Sequence, residues 1–143
     1  MKEISRSAIV EHSAAQMYAL VDDIESYPRF LPWCRAARVE QLAEKKRATL
    51  SVGVRGLQQS FTTLNENRPT ASIDMRLVEG PFKEFSATWR FKPLGEQACE
   101  IAYGMRYAFA SRALAKLLEP LFDEIADTMV DAFTRRADEI HPR

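Results

Sequence analysis

The side chains that could support acid–base or nucleophilic chemistry are few and far apart in this sequence. The two histidines, His12 and His141, lie near opposite ends of the 143 residues. His12 precedes a helix start, where we expect a surface position, and His141 falls in a tail that we expect to fray. Cys34 could act as a nucleophile with His12 as its base, but no third residue is evident that would orient the base. The sequence therefore predicts no catalytic residues and a protein that is not an enzyme.

Motifs for cofactor or metal binding are also missing. The sequence contains no GxGxxG, Walker A, HExxH or GxSxG pattern. Two histidines without further ligands of suitable type and spacing do not make a zinc site. Cys34 and Cys99 are isolated thiols, which fit a reducing compartment better than a disulfide framework. We expect no metal and no required cofactor.

Two tyrosines carry polar groups that should point into the protein. Tyr103 and Tyr107 flank Met105 on one face of an alternating run, so both hydroxyl groups should face inward. Buried phenols need hydrogen-bond partners. The partner could be a polar head group such as a quinone carbonyl, or it could be backbone or buried water, and the sequence leaves both open.

The elements that would hold these side chains follow from the apolar periodicity. Residues 4–10 predict a short strand, and Ser13 with Gln16 has the capping-box pattern of a helix start. Between residues 35 and 109 apolar and polar residues alternate, as in an antiparallel sheet with one apolar face. We predict turns at residues 55–56, 65–69, 80–81 and 93–95.

From residue 111 the apolar period returns to that of a helix and continues to Phe133. Pro120 should kink this helix or divide a short first segment from a longer second one. A half-covered antiparallel sheet needs a partner for its apolar face, and this helix is long and apolar enough. We predict one α+β domain over residues 1–143. A curved antiparallel sheet of about six to seven strands wraps round the long C-terminal helix, with short helices after strand 1.

The side chains that should face this helix are mostly large and apolar. Methionine and aromatic residues together adapt to irregular shapes, and one helix cannot fill the concavity of about six bent strands. We therefore predict an apolar cavity of ligand size, although the same residues could simply fill a core. The predicted lining residues are Phe61, Met75, Phe85, Trp89, Phe91, Tyr103, Met105, Tyr107, Leu118, Phe122 and Met129.

Three stretches of the sequence resemble a known family. They are Tyr27-Pro28-Arg29-Phe30-Leu31-Pro32-Trp33-Cys34, then Glu79-Gly80-Pro81-Phe82-Lys83 followed by Trp89-Arg90-Phe91, and Met129-Val130-Asp131-Ala132-Phe133 with Arg136-Ala137 after it. Together they resemble the coenzyme Q-binding protein and ribosome-association toxin family of the START-like, polyketide cyclase-like superfamily. The resemblance covers nearly the whole chain and implies a helix-grip (START/Bet v 1-like) fold.

The first two stretches carry apolar side chains on stiff backbone. Pro28 and Pro32 restrict one loop, and Gly80-Pro81 makes a tight turn towards the same mouth. These side chains could form a pocket lid or a lip that touches a membrane, or they could cap the core. They are Tyr27, Phe30, Leu31, Trp33 and Phe82.

The resemblance implies two functions. Mitochondrial members of the family bind ubiquinone and support respiratory electron transport. Our first hypothesis is that the chain binds ubiquinone (coenzyme Q), or another isoprenoid lipid, in the predicted cavity. The chain would then act as a carrier or chaperone for that molecule. The alternative is a ribosome-association toxin that binds the 50S subunit, blocks 70S formation and so inhibits translation initiation, with a small antitoxin as a further partner. A weaker alternative, by superfamily analogy alone, is a polyketide cyclase or aromatase-like enzyme.

Charge gives limited support to the ribosome alternative. The chain has 20 basic and 20 acidic residues, so it has no general attraction to nucleic acid or to anionic membrane. Arginines on the outer face could still contact RNA phosphates. These are Arg38, Arg47, Arg55, Arg76, Arg90 and Arg106. Carboxylates on the same face weaken the attraction, namely Glu40, Asp74, Glu84 and Glu100.

Location is predicted from what the sequence lacks. No stretch approaches the ~20 apolar residues that span a bilayer, and the first ten residues resemble neither a signal nor a transit peptide. We expect a bacterial, cytoplasmic protein whose contact with membranes would be peripheral.

Overall fold

The computed structural model describes residues 1–54 and 56–142. Within them, seven strands form one antiparallel sheet in the spatial order β1-β7-β6-β5-β4-β3-β2. The sheet curves round the long C-terminal helix, as the sequence predicted. The elements are β1 (Lys2–Val10), α1 (Ala14–Asp22), a 3₁₀ helix (Ile24–Arg29), β2 (Cys34–Leu42), β3 (Lys45–Val54), β4 (Leu57–Arg68), β5 (Ser72–Glu79), β6 (Phe82–Gly95), β7 (Ala98–Phe109) and α2 (Arg112–Ile140).

The start of α1 confirms the predicted capping box. The Gln16 amide donates to Ser13 Oγ, and the Ser13 amide donates to Gln16 Oε1, each at 3.1 Å. These bonds satisfy two amides that the first turn would otherwise leave unpaired, a gain of about 1 kcal/mol. The helix then turns Met17 and Val21 into the core, where both are fully buried.

Strand alternation also places side chains as predicted. In the β6–β7 ladder Trp89 pairs with Tyr103, and Ala87 pairs with Met105. All four side chains are buried, whereas Arg90 and Arg106 on the alternate positions are exposed. The apolar face of the sheet therefore lies against the helices.

Two predicted turns are wrong because the strands run further. β4 continues to Arg68, so Asn65 lies inside the strand and not in a turn at residues 65–69. β6 continues through Pro93 to Gly95, with an irregular register there. A proline is tolerated at such a bulge because no ladder hydrogen bond is required from it. Residues 80–81 do separate β5 from β6, and Arg55 of the predicted 55–56 turn lies outside the described residues.

α2 is a single helix, so of the two effects predicted for Pro120, a kink or a division, the division is excluded. Ser111 caps its start, since Ser111 Oγ accepts a hydrogen bond from the Leu114 amide at 3.1 Å. Pro120 lies inside the helix on its exposed side, where water can bond the carbonyl oxygen that the missing proline amide leaves free. The helix extends to Ile140, so the tail that we expect to fray begins no earlier than His141.

His12 is buried, which corrects the surface position predicted for it. Its imidazole is 2% exposed, and Nε2 lies 2.7 Å from Asp138 Oδ1 on α2. The last turns of α2 cover the junction between β1 and α1, and this contact between distant parts of the chain is not visible in local sequence.

Candidate functional site

A small cavity lies between the concave face of the sheet and α2. Its volume is about 50 Å³. Strands β3 to β7, α2 and the segment from the 3₁₀ helix to the start of β2 all contribute to its wall. The lining residues are Ile24, Tyr27, Trp33, Ala48, Leu50, Phe61, Thr63, Asn65, Met75, Phe85, Trp89, Tyr103, Met105, Phe122, Ile125 and Met129.

The structure brings most of the residues predicted for the site to this cavity. Sheet, helix and loop all contribute, as the alternating pattern and the helical stripe predicted. The predicted residues that line it are Tyr27, Trp33, Phe61, Met75, Phe85, Trp89, Tyr103, Met105, Phe122 and Met129.

Four other predicted residues lie in the core beside the cavity. Phe91 stacks on Trp89, with ring centroids 6.1 Å apart. Phe82 packs edge-on against Phe122, with centroids 5.1 Å apart, at the other end of the aromatic core. Tyr107 and Leu118 are buried there as well. These side chains support the wall but do not form its surface.

The predicted rim loop packs against the core instead of projecting from it. Tyr27 and Trp33 line the cavity, and Leu31 is buried behind them. The Tyr27 hydroxyl donates to the Val21 carbonyl oxygen, and Trp33 Nε1 donates to Thr128 Oγ1 at 3.1 Å. Phe30, the remaining member of the loop set, does not line the cavity. It is half-buried against Phe133, with ring centroids 5.1 Å apart. The loop closes this side of the cavity, and it does not form a membrane-touching lip in this conformation.

The cavity is smaller than the ligand-sized one that we predicted. Pockets for drug-sized ligands are typically about 300–1,000 Å³, well above the 50 Å³ seen here. The prediction placed one helix alone in the concavity, where it would leave space unfilled. The structure adds the buried side chains Met17, Val21 and Ile24 from α1 and the 3₁₀ helix. These side chains occupy part of the expected space.

Two polar lining residues were not predicted. Thr63 and Asn65 are buried on the inner face of β4, and the Thr63 hydroxyl donates to Asn65 Oδ1 at 2.7 Å. They continue the alternation that Phe61 begins, so extending the strand pattern beyond Phe61 would have found them. The turn-forming composition of residues 65–69 concealed that signal.

The tyrosines of the site are neutral hydrogen-bond donors. Burial raises the pKa of Tyr103 and of Tyr27 above the ordinary phenol range, and it raises the pKa of Tyr107 to about 12. The Tyr103 hydroxyl donates to Met105 Sδ at 3.4 Å, a weak acceptor. The Tyr107 hydroxyl is buried without a hydrogen-bond partner among the described residues. None of the three phenols can act as a base near neutral pH.

The Cys34 thiol is not activated as a nucleophile. Burial raises the pKa of the Cys34 thiol to about 11, so the nucleophilic thiolate is scarce near neutral pH. In residues 1–54 and 56–142, no three His, Cys, Asp or Glu side chains come together as a metal site. Among the helices described there, none is long and apolar enough to cross a membrane.

The outer face of the sheet carries a row of arginines. Strand register aligns Arg47, Arg76 and Arg106 on alternate strands across β3, β5 and β7. Arg106 pairs with Glu3 at 2.7 Å, and Arg90 nearby lies 3.6 Å from Asp74. By contrast, Arg38, Arg47 and Arg76 form no ion pair with any residue described in the structure. We call these three residues the unpaired arginines of the outer face. Arg55, the other predicted member, is outside the described residues.

Solved structures share this fold over nearly the whole chain. The aromatase/cyclase Zhui from Streptomyces sp. R1128 matches with a TM-score of 0.85 and 16% identity, covering 99% of this chain and 96% of that one. An 18 kDa protein from Caulobacter crescentus matches with a TM-score of 0.78 and 29% identity over the full length of both chains. The first likeness, at that identity, concerns the fold alone.

Sequence relatives narrow the family. Residues 10–134 match the family described as "Polyketide cyclase / dehydrase and lipid transport". The ribosome association toxin RatA of Pseudomonas aeruginosa is 44% identical over 139 residues, 96% of each chain. The mitochondrial coenzyme Q-binding protein COQ10 homolog B of Xenopus laevis is 30% identical over 148 residues, 99% of this chain and 60% of that protein. The chain therefore belongs to the START-like polyketide cyclase/dehydrase and lipid transport family, with ribosome association toxins and a coenzyme Q-binding protein among its relatives.

Proposed function

We propose that the chain binds an isoprenoid quinone in its interior and performs no chemistry on it. The observation that carries the proposal is the cavity between sheet and α2, whose wall is apolar except for a few hydrogen-bonding groups. Such a wall suits an apolar molecule with a small polar head. The name of the coenzyme Q-binding relative supports the quinone class.

Binding requires the cavity to widen. Three of its lining residues are methionines, Met75, Met105 and Met129, whose unbranched side chains can change rotamer to fit an irregular ligand. Of the lining residues, Leu50 on β3 and Met75 on β5 are the half-buried ones, so the wall is closest to solvent at these two side chains. We infer that the quinone head enters the cavity past Leu50 and Met75. The isoprenoid tail would then remain beside these two side chains.

Fluorescence provides a direct test. The chain has two tryptophans, Trp33 and Trp89, and both line the cavity. Decylubiquinone added to the purified protein in dilute detergent should quench their emission with saturation, because a bound quinone ring would lie beside them. Organic extraction of protein from a quinone-producing host, followed by mass spectrometry, should recover an isoprenoid quinone. A linear, non-saturating quench together with lipid-free extracts would disprove the proposal.

Ribosome association is a second candidate, favoured by a different part of the molecule. Relatives 41–44% identical to this chain are named ribosome association toxins. The unpaired arginines of the outer face can approach phosphates, because no carboxylate among the described residues lies within ion-pair distance of them. This face is the opposite side of the sheet from the cavity, so the two functions do not compete for residues.

Sedimentation tests the second candidate. Purified protein added to a bacterial extract should reduce the 70S peak in a sucrose gradient and migrate with 50S subunits. The association should weaken as salt rises, because phosphate contacts release counterions. An unchanged 70S peak with all of the protein at the top of the gradient would exclude this function.

A further inference from the structure

We infer that Asn65, held by Thr63, is the polar anchor that binds an oxygen atom of the ligand head group. The inference rests on the proposed binding of an apolar ligand in the cavity and adds a basis for selectivity. Asn65 is 1% exposed, and it belongs to the cavity wall. It selects molecules that carry a carbonyl or ether oxygen over hydrocarbons of the same shape.

The contact with Thr63 fixes which part of the amide remains available. The Thr63 hydroxyl donates to Asn65 Oδ1 at 2.7 Å, so the oxygen side of the amide is occupied. Among the residues that the structure describes, the bond from Thr63 is the one side-chain hydrogen bond of Asn65, and Nδ2 takes no part in it. An amide nitrogen carries two N–H donors. These donors are therefore free at the surface of a cavity that is otherwise mostly apolar.

Neighbouring polar groups of the wall are already occupied. The Tyr27 hydroxyl donates to the Val21 carbonyl oxygen, and Trp33 Nε1 donates to Thr128. Within the described residues, the Tyr103 hydroxyl donates a hydrogen bond only to the thioether sulfur of Met105. Of these four residues, Asn65 therefore has the side-chain donor whose pairing with an acceptor would be most favourable.

The chemistry of the ligand follows from this donor. A buried N–H needs an acceptor oxygen, and a ligand without one leaves the amide unpaired when it displaces water. A benzoquinone bears carbonyl and alkoxy oxygens on a flat apolar ring, so it can fill the cavity and accept the bond. A long-chain alkylbenzene can fill the cavity but cannot accept it.

Competition binding tests this inference. Decylubiquinone or phenyldecane displaces a fluorescent amphiphilic probe, 8-anilinonaphthalene-1-sulfonate, from the wild type and from Asn65→Leu. We expect Asn65→Leu to bind decylubiquinone about 10-fold more weakly, the usual effect of one hydrogen bond. Its affinity for phenyldecane should be unchanged or higher. Gln59→Leu is the control, because it removes a side-chain amide from the same strand outside the cavity wall.

A second variant guards against a folding defect in the first. Thr63→Val keeps the side-chain volume but releases Asn65 Oδ1, so it should lower quinone affinity by a smaller factor and leave phenyldecane binding intact. Equal effects of Asn65→Leu on both ligands, or none on either, would overturn the anchor while leaving the proposed function in place. A wild type that binds neither ligand would overturn the proposed function itself.

Discussion

His12 Nε2 lies 2.7 Å from Asp138 Oδ1, which joins the segment before α1 to the last turns of α2. The two residues are 126 positions apart. His12 is buried, whereas the Asp138 side chain is about half exposed. The contact therefore gives a buried imidazole a hydrogen-bond partner at the junction of β1, α1 and α2.

Removing Asp138 should destabilise the fold. Asp138→Ala leaves buried His12 without its acceptor, and the free energy of unfolding should fall by about 1–3 kcal/mol. Urea denaturation followed by circular dichroism measures the change. Asp131→Ala is the matched control, since it removes an exposed (i, i+4) pair with Arg135 on the same helix and should cost about 0.5 kcal/mol or less. Equal losses in the two variants would contradict the structural role of the His12 contact.

The buried thiols should be unreactive and should make stability sensitive to alkali. Burial raises the pKa of Cys34 to about 11 and also raises the pKa of Cys99. A group whose pKa is raised by folding favours the folded state below its unfolded pKa, near 8.5. That contribution should disappear as pH rises from about 8.5 through about 11. Ellman's reagent at pH 8 should label the native protein slowly and the urea-unfolded protein fast, and rapid labelling of both would contradict the burial.

Much of the fold was accessible from local sequence, because its signals are local. The Ser13–Gln16 capping box and the period-two runs depend on residues within a few positions of one another, and both were confirmed. The burial of His12 was missed because its partner Asp138 is distant in sequence. Asn65 was missed because its residue type favours turns, whereas here the bond from Thr63 satisfies its side-chain oxygen within a strand.

The size of the cavity was beyond prediction for a related reason. A void is the small difference between the enclosed space and the summed volumes of many side chains. The alternating pattern identifies which residues face inward, but it does not report how far Met17 and Ile24 intrude from another layer. The identity of most lining residues was therefore predictable, and the volume was not.

Filling the cavity should block the proposed ligand. Ala48 is buried in its wall, and Ala48→Val adds two carbon atoms to a strand position that accepts β-branched residues. We expect the saturating quench by decylubiquinone to weaken at least about 10-fold, with little change in melting temperature. Ala36→Val is the control, because Ala36 is exposed on the neighbouring strand β2. Undiminished quinone binding by Ala48→Val would place the ligand elsewhere.

Reversing charge on the outer face should separate the two candidate functions. Arg47 lies on β3 and Arg76 on β5, with β4 between them. Both belong to the unpaired arginines of the outer face. The double variant Arg47→Glu/Arg76→Glu should lose 50S co-sedimentation, because each substitution turns an attraction for phosphate into a repulsion. Its binding of decylubiquinone should be unchanged, since neither residue lines the cavity.

The matched control for this charge reversal lies on the helix. Arg135→Glu/Arg112→Glu gives the same change in net charge, and both arginines are exposed on α2, away from the sheet. This control should keep both activities at wild-type level. If it abolishes co-sedimentation as completely as the sheet variant does, then net charge and not the outer face governs the association. If both variants still sediment with 50S subunits, the ribosome contact uses neither surface.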